Sequence, residues 1–188
     1  MTKNKKIYLY FFRSRNKDNK DVANFRQRSK TFITTKTALE LDREFAAFVN
    51  DGQSGEMSRM YVAINTRDNA KIQKALTHKL IDDELDMTKL NRLLASIAAK
   101  PENRAKGENK WLFDFDPVEG EDTDELLKAF KKDLPLDANY HDFKTPNGYA
   151  VVVDHGFDTR ELLAKWPNVE LKRDGLLCRQ WATKKEDF

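Results

Sequence analysis

The sequence predicts an α+β fold, on three observations. Short runs rich in β-branched and aromatic residues recur along the chain, segments with apolar residues at helical spacing separate them, and the last third alternates between the two. From residue 111 onward the order reads strand, helix, strand, strand, helix, strand, strand. That order suits a small antiparallel or mixed sheet with helices on one face, here preceded by an N-terminal α/β layer. The 188 residues fit one domain. Phe12, Phe45, Phe48, Trp111, Phe113, Phe115, Tyr149 and Trp166 fall in patterned segments, so a packed core is expected although 35% of residues are charged.

Ile7 to Arg13 is the first strand; the polar loop Ser14 to Asp21 leads through Arg26, Arg28 and Lys30 to a hairpin partner at Thr31 to Thr34. Thr37-x-x-Glu40 is a capping box, with Leu39, Leu41, Phe45, Phe48 and Val49 as the apolar positions of a helix ending at Asp51-Gly52. Met60 to Ile64 is the next strand. Asn65 or Thr66 caps a helix with Ile72, Leu76, Leu80 and Ile81 on one face, and another helix, Met87 to Ala99, stops before Pro101. A central strand, Trp111 to Phe115, precedes the acidic loop 117–122 and a helix from Thr123 to Leu134. Tyr140 to Lys144 and the apolar run Tyr149 to Val153 are strands joined by the turn Thr145-Pro146-Asn147-Gly148; the second is expected to be buried on both faces. After a short helix, Asp158 to Trp166, the strands Val169 to Leu171 and Leu176 to Trp181 are expected to close a hairpin around Arg173-Asp174-Gly175. The resulting division is a basic N-terminal hairpin or arm (1–36), a single α+β body (37–182) and a polar tail (183–188). The order of the second half resembles the split βαβ or RNA-recognition-like plan.

The net charge of +3 is unevenly placed. Residues 1–36 hold eleven Lys or Arg against two Asp, and the remainder holds twenty-three against twenty-nine acids. A basic first fifth on a mildly acidic body points to contact with a polyanion. Arg13, Arg15, Arg26, Arg28, Lys30, Arg59, Arg67 and Lys100 are the expected phosphate contacts. Interleaved with Tyr8, Tyr10, Phe12 and Phe25, the first of these suit a face that stacks and grips a single strand, or equally an edge hairpin whose outward charges discourage aggregation. A single cysteine, Cys178, excludes an internal disulfide and suits a reducing cytoplasm; on its apolar strand it reads as a small buried hydrophobe. The chain has no apolar run near twenty residues, so no membrane partner is expected.

The chemistry centres on Phe113-Asp114-Phe115-Asp116. Alternation along a strand puts the two aspartates on one face and the two phenylalanines on the other. Neighbouring carboxylates repel, and a hard divalent cation such as Mg²⁺ or Mn²⁺ relieves the repulsion; strand-end solvation does so as well, so a metal site at Asp114 and Asp116 and a plain strand cap are both open.

This motif, followed by the Thr145-to-Tyr149 turn into an apolar strand, resembles the catalytic module of archaeo-eukaryotic primases and primase-polymerases over roughly Lys110 to Trp181. The resemblance implies a metal-dependent nucleotidyltransferase acting on nucleoside triphosphates and a nucleic-acid template. It implies metal ligation by Asp114 and Asp116, a third catalytic acid at Asp174 or, in its place, Asp154, and nucleotide contacts from Asn147, Gly148 and Tyr149. Ala150 stands where the family carries a histidine. The alternative is therefore a non-catalytic phage or mobile-element factor of the same plan that binds nucleic acid or a host protein.

Overall fold

The computed structural model describes residues 6–82, 86–116 and 122–185. Thirteen strands and α-helices follow one another in these segments: β1 (Tyr8–Ser14), β2 (Arg28–Thr34), α1 (Asp42–Asn50), β3 (Met57–Ala63), α2 (Asn69–Asp82), α3 (Leu90–Ala99), β4 (Trp111–Phe115), α4 (Thr123–Lys132), β5 (Tyr140–Lys144), β6 (Tyr149–Val153), α5 (Arg160–Lys165), β7 (Val169–Lys172) and β8 (Leu176–Thr183). They build an α+β fold on two antiparallel four-stranded sheets, ordered β2-β1-β3-β8 and β5-β6-β4-β7.

The first sheet is covered on both faces. Alternation along β1 sends Tyr10 and Phe12 to one side, where with Met60 they meet Leu41, Phe45, Phe48 and Val49 from α1 and the turn before it. Leu9 and Ala63 face the other side and pack on Ile72 of α2 and Ile97 and Ala98 of α3. β1 is thus an interior strand, with Leu9 and Phe12 wholly buried. β1 and β2 pair as the expected hairpin, but it is built into the sheet rather than standing off as an arm: β1 is an interior strand and β2 an edge.

Numbered within its own βαββαβ run, the second sheet has the order 2-3-1-4 of the split βαβ plan. Phe113 and Phe115 of β4 and Val151 and Val153 of β6 pack under Leu127 and Phe130 of α4 and Leu162 of α5. The rings of Phe115 and Phe130 meet edge to face at 4.6 Å. The opposite face of this sheet is not open. Leu112, Ala150 and Val152 rest against Ile64 and Leu177 of the first sheet, and this small apolar cluster is the seam between the layers.

The expected C-terminal hairpin does not form. β7 pairs with β4 in the second sheet, whereas β8, only three residues later, pairs with β3 in the first. Leu177 needs an apolar partner and finds it at the seam, so the turn Arg173-Asp174-Gly175 changes sheets instead of reversing within one. The tail is partly structured as well: Thr183 pairs with Met57, and Lys184 exchanges backbone hydrogen bonds with Gly55 and Glu56. The helix after β3 is capped by Asp68, whose Oδ1 accepts from the Ala70 and Lys71 amides, not by Asn65 or Thr66. Half of the expected capping box forms: Glu40 Oε2 accepts from the Thr37 amide and hydroxyl at 2.8 Å, but the Thr37 side chain caps neither the short 3-10 turn Leu39–Leu41 nor α1, and Leu39 stays exposed. Most of the acidic loop 117–122 lies outside the described residues. No helix among the described residues is long and apolar enough to cross a membrane.

Candidate functional site

Where the two sheets diverge from the seam, a cleft of about 370 Å³ opens, and Asp114 and Asp116 lie in its wall. Its position follows from the pleat. Leu112 is in the seam, so two residues further along the same face of β4, Asp114 emerges at the seam's end, and Asp116 follows beyond the strand. Ala150 is directly opposite Asp114 on β6 and also lines the cleft. The position where the primase resemblance places a histidine is therefore adjacent to the first aspartate, but holds only a methyl group.

Facing the carboxylates are cations from the first sheet. Arg13 leaves the end of β1, Arg59 stands across from it on β3, and Arg15 and Lys17 come from the loop that follows β1. The loop is locked by Asn19. Its side-chain amide donates to the Met57 carbonyl at 3.0 Å and to Ser14 Oγ at 3.2 Å, and its Oδ1 accepts from the Met57 amide at 2.6 Å. Asp18 then bridges two guanidiniums, accepting from Arg15 Nε at 2.7 Å and Arg59 Nη2 at 2.6 Å. Burial works against the Arg15 charge, but the Asp18 hydrogen bond together with the charges of Tyr61, Asp18 and Cys178 outweighs it and holds that guanidinium above its ordinary pKa. Both Arg13 and Arg15 lie over the Tyr61 ring, at 5.9 and 5.5 Å.

Two cations are left available by this network. Among the described residues Arg13 and Lys17 have no carboxylate partner. Arg59 is only 6% exposed, and its buried Nε has no acceptor. A buried donor without a partner costs about 1–3 kcal/mol.

Within the cleft wall, Lys172 Nζ donates to Asp114 Oδ2 at 2.6 Å and to Glu170 Oε2 at 2.9 Å. Glu170 is the β7 residue opposite Asp114, and Lys172 is on the same face two positions on. Burial pulls the lysine pKa down, but the contacts with Asp114 and Glu170 outweigh it and leave the ammonium more firmly protonated than usual. The lysine thus holds the place beside Asp114 that a cation would take. Among the described residues no three His, Cys, Asp or Glu side chains are grouped to hold a metal. Asp114 is thus engaged by Lys172, while Asp116 is exposed and has no hydrogen-bond or ion-pair partner among the described residues.

The other sequence-nominated residues divide clearly. Asn147 lines the cleft, whereas Gly148 and Tyr149 face the neighbouring surface, where the Tyr149 hydroxyl donates to Asp124 at 2.7 Å. Asp174 does not join Asp114 and Asp116. On the sheet-changing turn it accepts from Arg67 Nη1 at 3.1 Å with both oxygens and from Asn65 Nδ2 at 3.0 Å. Arg67 is 2% exposed and is committed to this pair instead of to an external phosphate. Asp154, the substitute third acid, is held by Asn139 and His155. Arg28 is bound to Glu56 and donates to the Phe48 carbonyl at 3.0 Å, so it braces α1 against the first sheet. Arg26, Lys30 and Lys100 are exposed and lie away from the cleft; Lys30 sits over Phe32 at 5.3 Å and Lys100 pairs with Glu102 at 3.8 Å.

Lys17, Glu170 and Lys172 were the residues that sequence reasoning passed over. Val169-Glu170-Leu171-Lys172 does show an acid and a base on one strand face, but only the pairing register of β7 reveals that they flank Asp114. Cys178 also borders the cleft; burial pushes its thiol up to about 11, so it is a packing residue. No known protein family, curated protein or solved structure matches this chain.

Proposed function

We propose that this chain is a nucleic-acid-associated protein that binds the phosphates of a nucleotide in the cleft between its two sheets, on a body of primase-polymerase-like plan. The observation that carries the reading is that Arg13 and Lys17 line the cleft without carboxylate partners among the described residues, next to Arg59 held by Asp18. Three cationic groups converging on one small cleft suit a di- or triphosphate, because each phosphoryl oxygen accepts a charge-assisted hydrogen bond. With Lys172 already neutralising Asp114, this binding needs no divalent ion.

Thermal unfolding with millimolar nucleoside triphosphate in EDTA tests it, since a ligand that binds only the folded state raises the midpoint by mass action. A shift in the wild type that is lost in Arg13→Ala/Lys17→Ala is the expected result. The same midpoint with and without nucleotide sinks the proposal.

A second reading, the metal-dependent nucleotidyltransferase, is favoured by one observation: Asp114 and Asp116 do lie in the same wall, opposite the arginines. Mg²⁺ or Mn²⁺ is commonly held by one or two carboxylates together with substrate phosphates, and there it would neutralise charge on the transferring group. Primer extension with Mn²⁺ that disappears in Asp116→Ala would establish this reading over pure binding.

A further inference from the structure

A second groove runs along the seam, with a separate lining. It measures about 340 Å³ and has only Leu177 in common with the aspartate cleft. Val62, Ile64, Val152 and Leu177 make its apolar floor. Rings stand in its walls: Tyr8 on one side, 6.1 Å from the Tyr10 ring, and Phe143 of β5 on the other. Its basic groups are Lys6, Lys110, His141 and Arg179, and no acid among the described residues lines it. Arg179 and His141 are exposed, and the Arg179 guanidinium lies over the Phe143 ring, 4.7 Å from its centroid. Glu108, behind the groove, pairs with Lys6 at 3.4 Å and Lys110 at 2.9 Å, leaving Arg179 without a carboxylate partner among the described residues.

We propose that this groove binds single-stranded nucleic acid, with one base against the Phe143 and Tyr8 rings and the adjoining phosphates on Arg179, Lys6 and Lys110. Three features select that occupant. Aromatic faces beside arginine suit any base, because every base has a π-face. A cationic lining free of acids repels basic peptides and attracts a polyanion. A pocket this small has room for one unstacked base and none for a duplex, whose bases are turned inward. The inference stands apart from the nucleotide reading of the aspartate cleft, because a different set of side chains carries it.

The test is fluorescence anisotropy with a labelled single strand of about 12 nucleotides, and with the matching duplex, at ~50 and ~200 mM salt. Arg179→Glu/His141→Glu changes exposed side chains only, Lys100→Glu is the charge-matched control away from the groove, and Lys17→Glu reports on the aspartate cleft. The expected result is single-strand binding that weakens with salt, falls at least about tenfold in Arg179→Glu/His141→Glu, and is retained in Lys100→Glu. Duplex binding as tight as single-strand binding overturns the proposal, as does a loss seen in Lys17→Glu but not in Arg179→Glu/His141→Glu. Photocrosslinking of the wild type with an iodouracil-containing strand gives a second readout that does not depend on variant folding. Adducts in the peptides holding Tyr8 or Phe143 support the groove, and adducts confined to β3 and the loop after β1 refute it. Nucleotide-induced thermal shifts measured on Arg179→Glu/His141→Glu keep the two sites distinguishable.

Discussion

Replacing Lys172 by methionine tests the idea that a side chain stands in for a metal ion in the cleft. Lys172 and Asp114 are 31% and 26% exposed in their side chains, so their 2.6 Å contact is neither fully screened nor fully desolvated. Between the small worth of an exposed pair and that of a hydrogen bond to a charged group, removal should cost about 1–2 kcal/mol. For a chain of this size that lowers Tm by roughly 2–8 °C. Methionine retains the aliphatic stem and leaves Asp114 and Glu170 without their shared counter-charge. A divalent ion should then take the vacated position, and Mn²⁺ at ~100 times its Kd would return about 2.7 kcal/mol. Differential scanning fluorimetry on wild type, Lys172→Met and Lys172→Met/Asp114→Asn, with and without Mn²⁺, reads all of this. The expected pattern is a destabilised single variant rescued by Mn²⁺, with little metal effect on the wild type and none on the double variant. A wild type that Mn²⁺ stabilises as strongly as the variant would refute the reasoning, because the lysine would then not be excluding the ion.

Asp174→Ala should unfold the protein rather than merely silence it: Arg67, 2% exposed, loses its only ion pair among the described residues, at about 3–5 kcal/mol. Chemical denaturation reads that loss, and a variant of wild-type stability would return Asp174 to the list of functional acids. Glu56 gives an acid-side prediction. Burial opposes its charge, but hydrogen bonds from Arg28, the Gln53 amide and Ser14, together with the Arg28 charge, outweigh it and hold the carboxyl below its ordinary value of 4.5. A lowered folded-state pKa gives stability that is present above 4.5 and lost as the pH falls through the folded value. Glu56→Gln should therefore flatten the decline in Tm on acidification, and an unchanged pH profile would exclude the Arg28–Glu56 pair as its source. Cys178, with its thiol pushed up to about 11, should react with a disulfide reagent at neutral pH far more slowly in the folded protein than in denaturant. Equal rates would show that β8 opens readily.

Much of the local structure is legible in the residues alone. Tyr140–Lys144 and Tyr149–Val153 occur as expected, because a Pro-Asn-Gly turn between two β-prone runs leaves few alternatives. The alternation Phe113-Asp114-Phe115-Asp116 announced which side chains would meet the helices and which would not, and the βαββαβ order announced the split βαβ sheet. Period and order along the chain are properties of short segments, so short segments suffice to reveal them. The neighbours of Asp114 are a different matter. That Lys172 would grip it, that Ala150 would stand beside it, and that Arg13, Arg15 and Lys17 would face it all depend on strand pairing and on the stacking of two sheets. Asp174 illustrates the same limit in reverse: its place in a turn made it available to any partner, and the buried Arg67 claimed it. The sequence by itself determined most of the elements and many of their inward faces, although Leu39, Leu80 and Ile81, expected on apolar faces, stay exposed. Only the tertiary structure decided which charges meet, because register and sheet-on-sheet packing join residues as distant in the chain as Asn65 and Asp174 or Met57 and Thr183, a relation that local propensity does not encode.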